Sequence, residues 1–258
     1  MKKFNKILDV NISQTKAVFI LDDQWKFRIS ISTNDIIDFG LYSENYVATK
    51  NYIINRKKLR YQKIKLLKKN KKYNIFTKHV KIMIEEDPFR LKILKKINNY
   101  WREICSDRET GAWYWNEDDN STSHYQQRKD NHKFYGLGER SGNLEKSHRR
   151  FIFSQKDALG YNAEKSDPLY KSFPWLYVVS TKNRDSDFGL LYDNLNYGSV
   201  DLGSEHSNYH LPYRYINFKN RGIQGYLILK NKKNSILSSF NNLIGPRYLP
   251  PKWSLGFQ

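Results

Sequence analysis

Carboxylate pairs are the first chemistry to look for, because two positioned carboxyl groups can act as the acid and the base of a hydrolytic reaction. Two runs of neighbouring acids stand out, Glu85-Glu86-Asp87 and Glu117-Asp118-Asp119. Each run is short and polar, so we interpret both as solvated strand ends and loops. Glu139 and Arg140 could also be catalytic, but a structural ion pair or a solvated turn is the preferred interpretation.

Histidine and cysteine form no pattern that is typical of a metal site or a nucleophilic triad. The histidines considered as ligands, which lack metal-ligand spacing, are His124, His132, His148, His206 and His210. Cys105 is the only cysteine, which excludes an intramolecular disulfide and a cysteine-rich metal site. We therefore expect neither a metal nor another cofactor.

Three closely spaced glycines, Gly136, Gly138 and Gly142, could be mistaken for a phosphate-binding loop. A dinucleotide fingerprint needs a third glycine where Ser141 stands, and it needs a strand–helix–strand unit around it. We interpret the three glycines instead as positions where the backbone bends or approaches another segment closely.

Short runs with a period of two predict the strands that position these residues. Residues 17–21 and 25–31 predict a hairpin, and residues 80–84 and 89–93 alternate on either side of a turn at Asp87-Pro88. Further strands are predicted over residues 151–153, 175–179, 188–192, 213–218 and 226–229. Many short strands separated by turns predict an all-β sandwich.

Two stretches depart from this pattern. Residues 101–133 are polar, so we predict a long loop or a ragged insertion there. Later in the chain, apolar residues at i, i+4, i+7 and i+8 predict one short helix, with Asn234 as its N-cap and Gly245 after its end. Pro250-Pro251 then indicates a linker, and residues 253–257 indicate the start of a new buried strand.

The composition suits a folded β-rich domain with a strongly basic surface. Aromatic residues make up 15% of the chain and the formal net charge is +19. Lysine and arginine concentrate between residues 56 and 81, where Tyr61 and Tyr73 are too few aromatics for a base-stacking platform. We interpret this run as a solvated face, and a basic nucleic-acid-binding domain is the less favoured alternative.

The chain shows no apolar stretch of transmembrane length and no uninterrupted apolar core of a signal peptide near its start. With a single cysteine, it suits a reducing compartment. We therefore expect a cytoplasmic protein without a membrane partner.

Four sequence segments carry a family resemblance. They are FYGLGERSG at 134–142 followed by His148-Arg149-Arg150, DALGY at 157–161 leading to DPLYKSFP at 167–174, FGLLYDN at 188–194, and GPR at 245–247 with LPPKWSLGFQ at 249–258. In this order they resemble the N-terminal region of glycoside hydrolase family 31, the α-glucosidase type. Residues 1–133 match only in general character.

The resemblance implies a β-sandwich similar to galactose mutarotases, which packs on a catalytic (β/α)₈ barrel. It also implies that a loop over residues 154–174 reaches the mouth of the barrel, where Asp157 could accept hydrogen bonds from sugar hydroxyls. The alternative is that Asp157 is a turn residue that bonds its own backbone. We expect the loop to project on the same side as Pro250-Pro251, and to be poorly ordered without its packing partner.

The resemblance also implies that the catalytic groups lie outside this chain. Retaining glycosidases use two carboxyl groups roughly 5 Å apart, and in family 31 both are aspartates of the barrel, which would begin near Trp253. We predict a sandwich domain over residues 1–245 and a linker with the truncated start of a barrel over residues 246–258. No catalytic residue is assigned.

Two hypotheses of function follow from this organisation. In the leading one, the chain is the N-terminal part of an enzyme acting on oligosaccharides or other α-glycosides, and lacks hydrolytic activity without the missing barrel. The alternative is a free-standing carbohydrate-binding or interaction module.

Overall fold

A computed structural model describes residues 1–33, 35–46, 53–230, 235–245 and 248–256 of the 258-residue chain. Within these ranges the chain forms nineteen β-strands, one α-helix and four short 3₁₀ turns. The predicted all-β class with a single short helix is therefore confirmed. No helix in the described ranges is long and apolar enough to cross a membrane.

The strands are short, as the sequence predicts. The first ten are β1 (Lys2–Lys3), β2 (Ile7–Ile12), β3 (Lys16–Leu21), β4 (Lys26–Ile31), β5 (Ile36–Tyr42), β6 (Lys65–Lys69), β7 (Lys72–Phe76), β8 (Val80–Glu85), β9 (Arg90–Ile97) and β10 (Tyr100–Ser106). The remaining nine are β11 (Trp113–Asn116), β12 (Ser121–Gln127), β13 (His132–Gly138), β14 (Arg150–Phe153), β15 (Ser172–Ser180), β16 (Phe188–Tyr192), β17 (Gly198–Asp201), β18 (Tyr213–Phe218) and β19 (Gly222–Leu229).

These strands form three antiparallel sheets. The largest has eight strands in the order β13-β15-β16-β19-β5-β4-β3-β2. A six-stranded sheet has the order β1-β11-β12-β18-β17-β14, and a five-stranded sheet has the order β10-β9-β8-β7-β6. Many strands that follow one another in sequence are also neighbours in a sheet, as β8 and β9 are. Other neighbours are distant in sequence, as β19 and β5 are.

The eight-stranded sheet forms one layer of a sandwich, and the other two sheets pack against it. Phe27 of β4 and Phe39 of β5 contact Trp113 of β11, with ring centroids 5.6 and 6.1 Å apart. Phe19 of β3 contacts Tyr73 of β7 at 5.3 Å. Because side chains alternate across each strand, one face of every sheet contributes to a continuous apolar core.

The predicted loop over residues 101–133 is wrong, because this stretch contains β10, β11, β12 and the start of β13. Its inward-facing positions include polar side chains such as Thr122 and His124, which are buried. Hydropathy alone would assign such polar positions to the surface. Both side chains can lie in the interior because each has a hydrogen-bond partner there. The polar run therefore does not mark a loop.

A buried carboxylate joins the three sheets at the centre of this region. Asp107 accepts hydrogen bonds from the Leu91 backbone N–H (2.9 Å), the Trp113 indole (2.9 Å) and His124 Nε2 (2.8 Å). His124 Nδ1 lies 3.0 Å from the Tyr192 hydroxyl of β16. Burial lowers the pKa of His124, so the neutral ring donates to Asp107 and accepts from Tyr192.

The helix α1 (Ile236–Ile244) confirms the predicted amphipathic segment. Its N-cap is Ser235, whose hydroxyl accepts a hydrogen bond from the Ser238 backbone N–H at 3.1 Å. The predicted N-cap, Asn234, lies outside the described residues. Gly245 follows the helix with a φ of +91° and a ψ of 171°, a positive-φ conformation that favours glycine but differs from the left-handed helical cap.

The predicted apolar face of α1 packs on the eight-stranded sheet. Ile236, Phe240 and Leu243 are buried and Ile244 is half-buried. Phe240 stacks on Trp175 of β15, with ring centroids 4.0 Å apart. The helix therefore covers one region of the outer face of this sheet.

The strand predicted from Trp253 onward is wrong for the described residues. Lys252–Leu255 forms a 3₁₀ turn, and Trp253 is 82% exposed. A strand needs a neighbouring strand to complete its hydrogen bonds, and no described strand pairs with this segment. Phe257 lies outside the described residues, and the predicted domain boundary between residues 245 and 246 stays a prediction.

Substituting Asp107, the central buried carboxylate, tests its role in the fold. We expect Asp107→Ala to lower the free energy of unfolding by about 3–5 kcal/mol, because it leaves three buried donors without their acceptor. Urea denaturation measures this loss. Asp118→Ala, at an exposed turn, is the control and should change stability by less than about 0.5 kcal/mol; equal small losses for both variants would contradict the structural role of Asp107.

Candidate functional site

The loop between β14 and β15 is the candidate site, and it spans residues 154–171. Strand β15 begins at Ser172, so the loop is shorter than the predicted 154–174. Leu159 is 94% exposed, and Tyr161 and Tyr170 are also exposed. The 154–171 loop therefore presents apolar and aromatic side chains to its surroundings.

A buried ion pair holds this loop on the sandwich. Arg140 Nη1 lies 2.6 Å from Asp167 Oδ1, and the Arg140 side chain is fully buried. The second oxygen of Asp167 accepts a hydrogen bond from the Ile152 backbone N–H at 2.6 Å. Burial lowers the pKa of Arg140, and the Asp167 carboxylate opposes that effect. The preferred interpretation of Arg140 as a structural residue is confirmed.

The remaining donors of Arg140 fasten both ends of the loop. They bond the carbonyl oxygens of Leu137 (3.0 Å) and Ile152 (2.9 Å) and the hydroxyl of Ser172 (3.0 Å). Ser172 in turn donates to the carbonyl oxygen of Ser154 at 2.6 Å. A guanidinium with four of its five N–H donors bonded thus ties the first residue of the loop to the first residue of the following strand.

Two of the predicted glycines allow the loop to approach. A Cβ on Gly138 (φ +83°) would lie 2.6 Å from the Lys171 carbonyl oxygen, and one on Gly142 (φ +76°) would lie 2.8 Å from that of Glu164. The Gly142 backbone N–H also donates to the Ala163 carbonyl oxygen at 2.7 Å. The close-approach interpretation is confirmed, and the expected poor order of the loop stays a prediction.

Asp157 lies on this loop with an exposed side chain. Desolvation and the nearby Asp157 carboxylate both raise the pKa of Tyr170. The substrate-contact role and the turn role of Asp157 both stay predictions. Tyr161 also stays at the surface, whereas Trp175 is buried beneath Phe240. The aromatic side chains that this loop exposes are therefore Tyr161 and Tyr170.

The acidic runs lie at the strand ends and turns that the sequence predicts, but Glu85 and Glu86 are half-buried. Glu85 pairs with Lys72 at 2.9 Å, and Glu86 lies 3.7 Å from Lys68. The run 117–119 is exposed at the turn after β11. None of these acids lies in the 154–171 loop.

Sequence reasoning missed the chain of hydrogen bonds from Asp107 through His124 to Tyr192. Its order resembles the acid, base and hydroxyl of a catalytic relay. However, all three side chains are buried, and the adjoining cavity of about 20 Å³ has no room for a substrate. We interpret the relay as structural. In the described ranges, no three acidic, histidine or cysteine side chains form a group that could hold a metal ion.

The basic run lies at the edge of the five-stranded sheet. Strand β6 is the outermost strand of that sheet among the described residues, and its lysines are exposed. Exposed lysines on an edge strand oppose pairing with another chain. This placement agrees with a solvated face.

Sequence relatives are found among α-glucosidases. Alpha-glucosidase 2 of Bacillus thermoamyloliquefaciens is 24% identical over 176 residues, which are 68% of this chain and 21% of that protein. An alpha-glucosidase of Saccharolobus solfataricus is 25% identical over 122 residues, which are 47% of this chain and 16% of that protein. The chain thus spans about a fifth of the length of these relatives.

A structural comparison and a family model both agree with these sequence matches. The structure of the Flavobacterium johnsoniae GH31 dextranase in complex with glucose superposes with a TM-score of 0.84 at 22% identity, over 100% of this chain and 30% of that chain. The family model of the glycosyl hydrolase 31 N-terminal galactose mutarotase-like domain matches residues 26–201. The chain belongs to this family of N-terminal domains of family 31 glycoside hydrolases.

Proposed function

We propose that this domain serves an enzyme that hydrolyses α-glucosides or related α-glycosides, and that its 154–171 loop forms one wall of the substrate pocket. The observation that carries the proposal is the family match over residues 26–201, together with α-glucosidase relatives. The match covers 21% of the Bacillus alpha-glucosidase 2, so the rest of that protein is long enough to contain a separate catalytic barrel.

The geometry of the loop supports a role in substrate contact. The Arg140–Asp167 pair fixes the base of the loop, while Asp157, Tyr161 and Tyr170 stay exposed. An exposed carboxylate such as that of Asp157 is well suited to accept hydrogen bonds from sugar hydroxyls. Fixing the loop before the substrate arrives reduces the entropy lost on binding.

Hydrolysis itself is assigned to the proposed barrel. A retaining mechanism needs a nucleophile and an acid/base group roughly 5 Å apart. In this domain, Asp107 and Asp167 are committed to buried hydrogen bonds, and Glu85 is committed to an ion pair. A cytoplasmic location remains part of the proposal, supported by the single cysteine, Cys105, which is buried as a free thiol.

We expect the purified 258-residue chain to leave 4-nitrophenyl α-glucoside intact, because both catalytic carboxylates are assigned to the barrel. Release of 4-nitrophenol, followed by absorbance, measures the activity. A chimaera that continues after Pro251 into the barrel of a family 31 α-glucosidase should be active. Turnover by the chain alone that survives repurification, and that is lost on substituting one of its acids, would overturn this assignment.

In the same chimaera, we expect Asp157→Ala to reduce kcat/KM by about 5- to 150-fold. This range corresponds to about 1–3 kcal/mol, the usual loss when a charged hydrogen-bonding partner is removed. The melting temperature should stay close to that of the parent, because the Asp157 side chain is exposed.

Glu164→Ala is the matched control, since Glu164 is another exposed carboxylate of the same loop. It should leave kcat/KM unchanged. Measuring both variants with two aglycones separates the alternatives. A lower melting temperature with unchanged kinetics for Asp157→Ala would show a purely local turn role.

A further inference from the structure

An open groove of about 380 Å³ lies at the foot of the 154–171 loop. Ser154 and Gln155 line it from the start of the loop, and Asn194, Asn196 and Tyr197 line it from the segment after β16. We call it the amide groove, after its three carboxamide side chains. Its volume lies within the usual range for small-molecule sites, roughly 300–1,000 Å³.

The amide groove carries no formal charge. Charged residues make up 28% of the chain and the net charge is +19, yet every residue that lines this groove is neutral. A site for a phosphate or a carboxylate would contain arginine, lysine or a cluster of backbone donors. The lining therefore favours a neutral ligand that forms hydrogen bonds.

Asn194 gives the groove an unused donor. Its Oδ1 accepts a hydrogen bond from the Asn196 backbone N–H at 2.9 Å, which fixes the turn. Its Nδ2 is buried and has no hydrogen-bond partner among the described residues. Buried polar groups normally have partners. A small movement of the Asn194 side chain that exposes Nδ2 to the groove would allow a ligand oxygen to become that partner.

Tyr197 supplies an aromatic surface beside the amides. Its side chain is 52% exposed, and Lys219 Nζ lies 5.5 Å from the ring centroid. A partly exposed ring contributes apolar contact area, and the neighbouring amides fix the orientation of hydroxyl groups. Amides with an exposed ring match the chemistry of a sugar, which has apolar C–H faces and hydroxyl edges.

We infer that the amide groove binds one neutral hexose unit of an α-glucan, as a subsite separate from the contact proposed for Asp157. The choice of an α-glucan rests on the proposed function. The groove itself is built entirely from residues of this chain, so it should bind sugar without a catalytic barrel.

The test is a two-dimensional amide NMR titration of the 258-residue chain with maltotriose and with isomaltotriose, at millimolar concentrations. We expect saturable shifts of backbone amides confined to residues 153–155 and 194–197. Tyr197→Ala should raise the Kd by about tenfold or more, equivalent to a loss of one aromatic contact. Asn194→Asp keeps the Oδ1 acceptor but removes the donor, and should also raise the Kd at least about fivefold.

Two controls separate the groove from other effects. Tyr209→Ala removes a tyrosine that is 90% exposed and does not line the groove, so it should leave the Kd unchanged. Glu164→Ala, which removes an exposed carboxylate outside the groove, should also leave the Kd unchanged. Because the titration uses the chain without a barrel, failure of this inference is distinguishable from failure of the proposed loop contact. Circular dichroism spectra matching the parent confirm that the variants fold.

Three outcomes would overturn the inference. They are the absence of saturable shifts with either sugar, shifts located outside the groove, and an unchanged Kd for folded Tyr197→Ala. Shifts of the groove amides on adding a separately expressed family 31 barrel, without any shift on adding sugar, would assign the groove to contact between domains instead.

Discussion

The buried ion pair between Arg140 and Asp167 is the interaction on which the candidate site depends. The Arg140 side chain is fully buried, and its donors reach both sides of the loop. A buried pair contributes little net stability relative to an apolar replacement, but losing one partner is costly because the other charge stays buried. The pair is therefore best understood as a device that specifies one loop conformation.

Asp107 has a parallel role inside the sandwich. Its carboxylate joins a backbone N–H of the five-stranded sheet, an indole and a histidine of the six-stranded sheet, and through that histidine a tyrosine of the eight-stranded sheet. Both aspartates replace apolar packing with directional bonds at positions where several segments meet. Such networks favour a single arrangement only when every member is satisfied.

Local patterns were sufficient to predict most of the fold. Alternating apolar residues located strands such as β8 and β9, and the spacing of Ile236 and Phe240 located α1. The same reasoning failed over residues 101–133, because His124 is buried through a bond to Asp107 and not through its hydropathy. It also failed at Lys252–Leu255, since apolar character alone does not supply a neighbouring strand.

The site was only partly predictable, because its parts come from distant segments. The resemblance indicated the loop and Asp157 but not the ion pair of Asp167. Its partner Arg140 lies 27 residues away, a pairing that no local pattern reveals. The amide groove combines residues near 154 with residues near 194 and contains no charged side chain that would draw attention in the sequence.

The Arg140–Asp167 ion pair specifies the conformation of the 154–171 loop. This role can be measured by hydrogen exchange of the Asp167→Asn variant, followed by mass spectrometry. Asp185→Asn, which removes the carboxylate facing Lys230 in a surface pair, is the control. We expect Asp167→Asn to accelerate exchange across residues 152–172 while β4, β5 and β19 keep their protection, and we expect the control to change neither region. Unchanged exchange of the loop in Asp167→Asn would contradict the claim.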